Sequence, residues 1–338
     1  MSKKSILIIR CGALGDLVCS TSIIEAVRLS FGEQTIIDFV SNPGTNKLFE
    51  NDYRINKKIS IKYKKIPLFF SKQKREIINY SKTYPYDFVF NLENSKYFND
   101  LVKNINTKKT INISNVKIPN DIQHMVEKMK YPFKFIVNDE IFNKSFPKLI
   151  GSDSKDIDKK YNLPTKYLII SPSNSHQKRS IFNYRAWTNE NWKQLINILS
   201  NKIQTVVIGN KNEDEFFDKL KPYPINVIDL VAKTSLPDLI TIIKNAQGLI
   251  ATDTGTAHIA SATNTEVFAL IGPTPAYETG PYQTPFNKVH IISSNLDCSP
   301  CYKTNVMKNC KDNICMKSIT VKKVLNTLIE ANIIEKDN

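Results

Sequence analysis

The stretch GLIATDTGTAHIASATNTEVFALIG (248–272) decides how this chain folds. An apolar run, GLIAT (248–252), stops on Asp253, turns through Thr254-Gly255-Thr256, and continues into the helix-like TAHIASA before a second apolar run, EVFALIG (266–272). Two strand-like runs joined by a helix-like one are the pattern of a parallel βαβ unit. The turn where strand gives way to helix gathers backbone N–H groups that have no partner within the helix, and an anion is stabilised at such a place. His258, one of four histidines in the chain, lies one turn into that helix.

Working outward, the alternation repeats. SILIIR (5–10), TIIDFVS (35–41), DFVFNLE (87–93) and KTINIS (109–114) read as strands with helix-like segments between them. After the polar stretch GSDSKDIDKKYNLPTK (151–166) the pattern restarts with YLIISPS, TVVIGN, NVIDL, GLIATD, EVFALIG and KVHIIS. The expectation is two Rossmann-like α/β domains, 1–160 and 161–338. Residues 191–200, 237–246 and 320–333 read as helices, the second capped by Thr234 or Ser235.

Five of the ten glycines, Gly12, Gly15, Gly209, Gly255 and Gly272, fall just after strand-like runs, where parallel sheets bind ligands. The segment RCGALGDLVCST (10–21) lacks the third glycine of a dinucleotide fingerprint. Asp16 stands where its helix begins, and from spacing alone it is either the helix cap or a general base.

The 338 residues, 41% of them hydrophobic, suffice for two packed domains. No apolar run approaches the roughly 20 residues that span a bilayer, and MSKKSILIIRCG turns polar too soon for a secretory signal, so a cytoplasmic protein is expected. The net charge of +15 is uneven: residues 1–160 hold 28 Lys and Arg against 17 Asp and Glu, the remainder 19 against 15. Segment 54–82 carries ten basic residues, among them Lys62, Lys64 and Lys65, and one acid, Glu76. Such a run attracts nucleic acid, anionic lipid headgroups or a phosphorylated acceptor, or is a solvated face. No nucleic-acid-binding signature accompanies it, so nucleic acid is not an expected partner.

Cys298, Cys301, Cys310 and Cys315 cluster near the end of the chain. Cytoplasmic cysteines grouped in this way are candidate structural zinc ligands or reduced packing thiols, although the second CxxC of a zinc ribbon is missing. Cys11 and Cys19 read as small buried side chains.

Taken together, the segments resemble glycosyltransferase family 9, the ADP-heptose:lipopolysaccharide heptosyltransferases. ILIIRCGALGDLV resembles the family's opening strand, Leu-Gly-Asp turn and helix, FNYRAWTNENWKQL (182–195) its basic-x-Trp segment, and VVIGNKNEDE (206–215) its Gly-x-x-x-Glu turn. DTGTAHIASATNTEVFALIGPT (253–274) with GPY (280–282) is the longest match, and the Cys-rich run 298–320 is similar to the tail of heptosyltransferase II-type members. The chain departs from the family at Ser22, where many members have proline, and at Asn91-Leu92, where many have Asp-Leu.

The resemblance implies a GT-B fold, two Rossmann-like domains whose parallel sheets face each other across a cleft, and an inverting transfer that requires no metal or other cofactor. Asp16 would be the general base. The donor, ADP-heptose, would lie on the second domain, its diphosphate at Thr254-Gly255-Thr256 and near His258 and Arg185, its hydroxyls near Asp253 and Glu213. The acceptor, an anionic lipid A-core, would meet the first domain on the side of Gly15, Asn91, Lys62, Lys64 and Lys65, with the enzyme peripheral on the anionic inner leaflet. The alternatives are a family 9 enzyme using another nucleotide-sugar or a different glycan or protein acceptor, a basic nucleic-acid-binding protein, and a non-catalytic nucleotide-sugar-binding paralogue, against which the presence of Asp16 speaks.

Overall fold

The computed structural model of the chain describes residues 3–174, 182–211 and 213–336. They form two compact units, Met1–Ile150 and Gly151–Asn338, each built on its own parallel sheet. In the first unit, β1 (Ser5–Ile9), β2 (Ile36–Ser41), β3 (Lys57–Ser60), β4 (Tyr86–Asn91) and β5 (Thr107–Asn112) lie in the order β3-β2-β1-β4-β5. The apolar run of β1 is explained by its central place, with Ile8 paired to Phe39 on one side and Phe90 on the other. β3 is the strand that alternation does not announce: it is a short edge strand whose Lys57 and Lys58 are exposed, so it carries no apolar run. Helix Leu14–Phe31, which follows β1, buries nearly every residue from Leu17 to Arg28 and so lacks a polar face.

The second sheet contains β6 (Leu168–Ser171), β7 (Thr205–Val207), β8 (Val227–Asp229), β9 (Gly248–Thr252), β10 (Glu266–Leu270) and β11 (Val289–Ile292), in the order β11-β10-β9-β6-β7-β8. Helix Asn189–Ser200 is capped by Thr188, whose hydroxyl accepts from the Asn191 N–H at 3.1 Å. Helix Leu236–Asn245 is capped in the same way by Ser235. The core of this unit includes residues far from the sheet in sequence. Trp187 and Trp192 pack edge to face at 4.8 Å, the Trp187 indole donates to the Ile319 carbonyl at 2.7 Å, and Met316, Val324 and Leu328 complete the cluster. The Cys-rich tail and helix Val321–Glu330 are therefore built into this domain.

The units divide before helix Ser154–Tyr161, not after it near residue 160. Asp238, at the start of helix Leu236–Asn245, accepts hydrogen bonds from Ser152 (2.6 Å), Lys160 (2.8 Å) and Tyr161 (2.7 Å), which ties the polar stretch 151–166 to the second unit. Among the described residues, no helix is long and apolar enough to cross a membrane.

Candidate functional site

The residues expected to act fall into two groups, one in each unit. In the first unit the group forms where β1 and β4 end. Asp16 is not the cap of helix Leu14–Phe31: Ala13 occupies that position, and Asp16, three residues on, reaches back so that its Oδ2 accepts from the Ala13 N–H at 2.8 Å. Glycine at position 12 makes this fold possible, since a Cβ there would come within 2.4 Å of the Asp16 side chain. The second oxygen, Oδ1, lies 2.9 Å from Nη2 of Arg10. The Arg10 guanidinium also donates to the Leu92 carbonyl at 2.9 Å and stands 3.6 Å from Glu93 Oε1, which in turn accepts from the Cys11 N–H at 2.8 Å. One cation thus serves two carboxylates. The Asp16 side chain is 31% exposed and that of Glu93 11%, so Asp16 is the more accessible of the two carboxylates.

Three neighbours shape this turn from beneath. Asn91 is fully buried, its amide donating to Asn99 (3.0 Å) and Asn112 (2.9 Å) and its oxygen accepting from the Glu93 N–H (3.2 Å). It is expected on the acceptor side, and its amide is engaged with Asn99, Asn112 and the Glu93 N–H, so it holds the backbone at Glu93. Lys64 turns inward and its ammonium donates to the Cys11 carbonyl at 3.0 Å, whereas Lys62 and Lys65 are exposed, so the three lysines are not equivalent. Gly15 lies half-buried in the first turn of the helix beside Asp16. Burial, followed by the nearby Glu93, pushes the Cys11 thiol up to about 12, and burial followed by Asp16 does the same to Cys19. Both are inert packing thiols at neutral pH.

In the second unit, Arg185 Nη1 stands 3.2 Å from Asp253 Oδ2, and its guanidinium lies 4.9 Å above the Tyr302 ring. Thr254, Gly255 and Thr256 are half-buried where β9 gives way to helix Gly255–Ser261, and Thr254 caps that helix without a side-chain bond. The Thr256 hydroxyl pairs with that of Ser171 at 2.9 Å, and His258 lies half-buried one turn further. Glu213 Oε2 accepts from the Ser173 hydroxyl (2.8 Å) and from the Asn210 N–H (3.0 Å). Among the described residues, Arg185 Nε, Thr252 Oγ1 and Thr274 Oγ1 are buried without a hydrogen-bond partner, while Asp253 Oδ2 has the ion pair with Arg185. Buried polar atoms are rarely left in that state, and here they gather around the carboxyl ends of β9 and β10.

The tail supports this group directly. Asn313 donates to the Ala186 carbonyl at 2.8 Å, next to Arg185, and the N–H groups of Cys301 and Tyr302 both donate to the Pro273 carbonyl at 2.9 Å. At Gly272 a Cβ would lie 2.8 Å from the Cys315 sulfur and 2.7 Å from that of Met316, so the tail packs directly against glycine backbone. Cys298 is exposed, Cys310 half-buried, and Cys301 and Cys315 buried, all with free thiols. Among the described residues, no group of three or more His, Cys, Asp or Glu side chains is placed to hold a metal ion. Burial, then the neighbouring thiols, raise Cys315 to about 11.

Arg10, Glu93, Ser171, Ser173 and Tyr302 neighbour the expected site residues, and sequence reading passes over them. The first four follow or end strands, the places a parallel sheet offers to ligands. A cavity lined by Gln247, Glu266, Phe286 and Lys288 lies instead at the amino ends of β9, β10 and β11, away from these groups.

Comparison with known proteins identifies the family and the fold. Residues 107–311 match the model of glycosyltransferase family 9 (heptosyltransferase). Lipooligosaccharide heptosyltransferase 2 of Campylobacter jejuni subsp. jejuni serotype O:6 is 30% identical over 116 residues, 34% of this chain and 35% of that protein. Over their matched segments the chain thus spans about a third of the length of its curated relatives. Solved structures align over almost the whole length. The family 9 glycosyl transferase of Veillonella parvula superposes with a TM-score of 0.79 at 16% identity, covering 98% of this chain and 97% of that one. The ADP-heptose LPS heptosyltransferase II of E. coli gives 0.73 at 16%, covering 97% and 99%. The E. coli heptosyltransferase WaaC with ADP gives 0.67 at 18%, covering 97% and 99%. The two parallel sheets are those of a GT-B fold.

Proposed function

This chain belongs to glycosyltransferase family 9, and from that premise we propose that it transfers heptose from ADP-heptose to the inner core of a lipid A-linked acceptor, with inversion and without a catalytic metal. The observation that carries this reading is the pairing of Asp16 with Arg10 at the end of β1, which leaves one reachable carboxylate at a built turn. Asp16 takes the proton of the acceptor hydroxyl as that oxygen forms its bond to the anomeric carbon. The bond from that carbon to the diphosphate breaks on the opposite face, and its electron pair leaves with ADP.

The charge that develops on the diphosphate needs cations and aligned N–H donors. Arg185 and His258 supply side chains, and the backbone of Thr254, Gly255 and Thr256 supplies N–H groups. The E. coli heptosyltransferase WaaC was solved with ADP, which supports a nucleoside diphosphate as the leaving group. Asp253 and Oε1 of Glu213 accept from sugar or ribose hydroxyls, and Glu213 is already oriented by Ser173 and Asn210. The acceptor is anionic and lipid-linked, so the protein works at the cytoplasmic face of the inner membrane, on anionic headgroups. A donor screen tests the reading: release of ADP, UDP, GDP and CMP from their sugars is followed with a truncated lipid A-core acceptor. Acceptor-dependent release of ADP alone is expected, and release from another nucleotide-sugar instead would overturn the donor assignment.

A further inference from the structure

The basic segment of the first unit carries apolar groups that the chemistry above does not use. Phe69 and Phe70, in the 3-10 turn Leu68–Phe70, are 77% and 73% exposed, and Tyr63 is 56% exposed. The two phenylalanine rings sit edge to face at 5.4 Å, and Lys62, Lys65, Lys72 and Arg75 are exposed within a few residues of them along the chain, Lys72 standing 3.8 Å from Glu76. Rings this exposed would be costly on a wandering loop, yet the loop is held firmly. Lys74 is fully buried, and its ammonium donates to the carbonyls of Lys64 (3.0 Å) and Ile66 (2.7 Å). The Phe69 carbonyl accepts from the Arg75 guanidinium, and Ser71 caps helix Lys72–Thr83 immediately after the turn. A desolvated lysine is a strong anchor because its charge has no alternative partner in water.

We infer that segment 62–70 is a membrane-docking loop, in which Phe69 and Phe70 enter the interfacial layer of an anionic bilayer while Lys62, Lys65 and Arg75 rest on lipid phosphates. This deepens the proposed function, since it rests on a lipid-linked acceptor. Charge complementarity selects the occupant: exposed aromatic rings in a segment with ten basic residues and one acid match a negative surface with an apolar interior. Single-stranded nucleic acid fits less well, because rings at 89° to one another do not offer successive bases two parallel stacking faces. Lys64, on the same loop, holds the Cys11 carbonyl beside the Asp16 turn, so docking would set the height of the base above the membrane.

The test uses the full chain and vesicles of phosphatidylcholine with or without phosphatidylglycerol. Each basic group near the surface is worth roughly fivefold in partitioning. Wild type should bind only the anionic vesicles, more weakly as salt rises from about 50 mM to about 500 mM. The double variant Phe69→Ser/Phe70→Ser should bind at least about tenfold more weakly at every salt concentration, while Lys62→Ser/Lys65→Ser should flatten the salt dependence. Both native tryptophans, Trp187 and Trp192, are buried, so Phe69→Trp supplies a reporter whose emission should shift to the blue on anionic vesicles and be quenched by brominated lipid. Turnover of a delipidated core oligosaccharide by Phe69→Ser/Phe70→Ser should equal that of wild type, which separates loss of docking from failure of the transferase reading. Equal vesicle binding by that variant and wild type, an unshifted tryptophan, or binding of wild type to single-stranded oligonucleotide in place of vesicles would each overturn the inference.

Discussion

Arg10 Nη2 lies 2.9 Å from Asp16 Oδ1, and the same guanidinium stands 3.6 Å from Glu93. Arg10 therefore holds the Asp16 carboxylate in place while also facing Glu93. Replacing Arg10 by Gln should lower kcat by about tenfold or more while leaving the donor KM unchanged, and Arg10→Lys should recover part of the loss. A purely structural role would show as a lowered Tm with kcat intact, and steady-state kinetics beside a melting curve distinguishes the two.

In the second unit, Asp253 and Arg185 form a close charge pair, with Tyr302 beneath the guanidinium. Arg185→Ala, Asp253→Ala and His258→Ala should each weaken ADP binding by about tenfold or more, as expected for groups that contact a diphosphate or its sugar. Titration calorimetry with ADP checks this, and unchanged affinity in all three variants would remove the donor from this end of the sheet.

Acid should loosen the second unit through Asp238. Burial pushes its carboxyl up, but hydrogen bonds from Lys160, Ser152, Tyr161 and Ser235 outweigh that and hold it at about 2. A carboxyl whose folded pKa lies below its unfolded value adds stability above the unfolded value and loses it as pH falls through the folded one. The contribution, about 1 to 2 kcal/mol after solvent screening, should therefore disappear between about pH 4 and pH 2. Asp238→Asn should melt below wild type at about pH 5, and the gap should close near pH 2. A gap of equal size at both would show that the carboxylate charge does not matter there.

Thiol labelling should report the burial of the six cysteines. With their thiols at about 12, Cys11 and Cys19 carry a thiolate in roughly one molecule in ten thousand at about pH 8. Exposed Cys298 should be alkylated first in the native protein, with Cys11 and Cys19 reacting only after denaturation. Mass spectrometry of a time course decides the order, and early modification of Cys11 would contradict the packing described at the Asp16 turn.

Much of this architecture is legible in the sequence because parallel strands buried on both faces read as unbroken apolar runs, as β1, β9 and β10 do. β3 escapes because an edge strand with exposed Lys57 and Lys58 has no such run. Asp16 is visible through the Leu-Gly-Asp turn, but its partners are not. Arg10 and Glu93 meet only because β1 and β4 are neighbours in the sheet, and nothing local records that pairing. For Asn91 the resemblance gives a place on the acceptor side, while its bonds to Asn99 and Asn112, residues 8 and 21 positions away, are not legible in the sequence. Cysteine spacing does not show that the tail packs Cys315 and Met316 directly against the backbone of Gly272.

The central claim is that Asp16 is the base of an acceptor-dependent heptosyl transfer, and single-turnover release of ADP from ADP-heptose tests it most directly. Wild type should release ADP only when the lipid A-core acceptor is present. Asp16→Asn, which keeps an oxygen for the Ala13 N–H, should be slower by at least about 100-fold with unaltered donor affinity. Near-normal release by Asp16→Asn would contradict the account, as would ADP release by wild type at the same rate without acceptor.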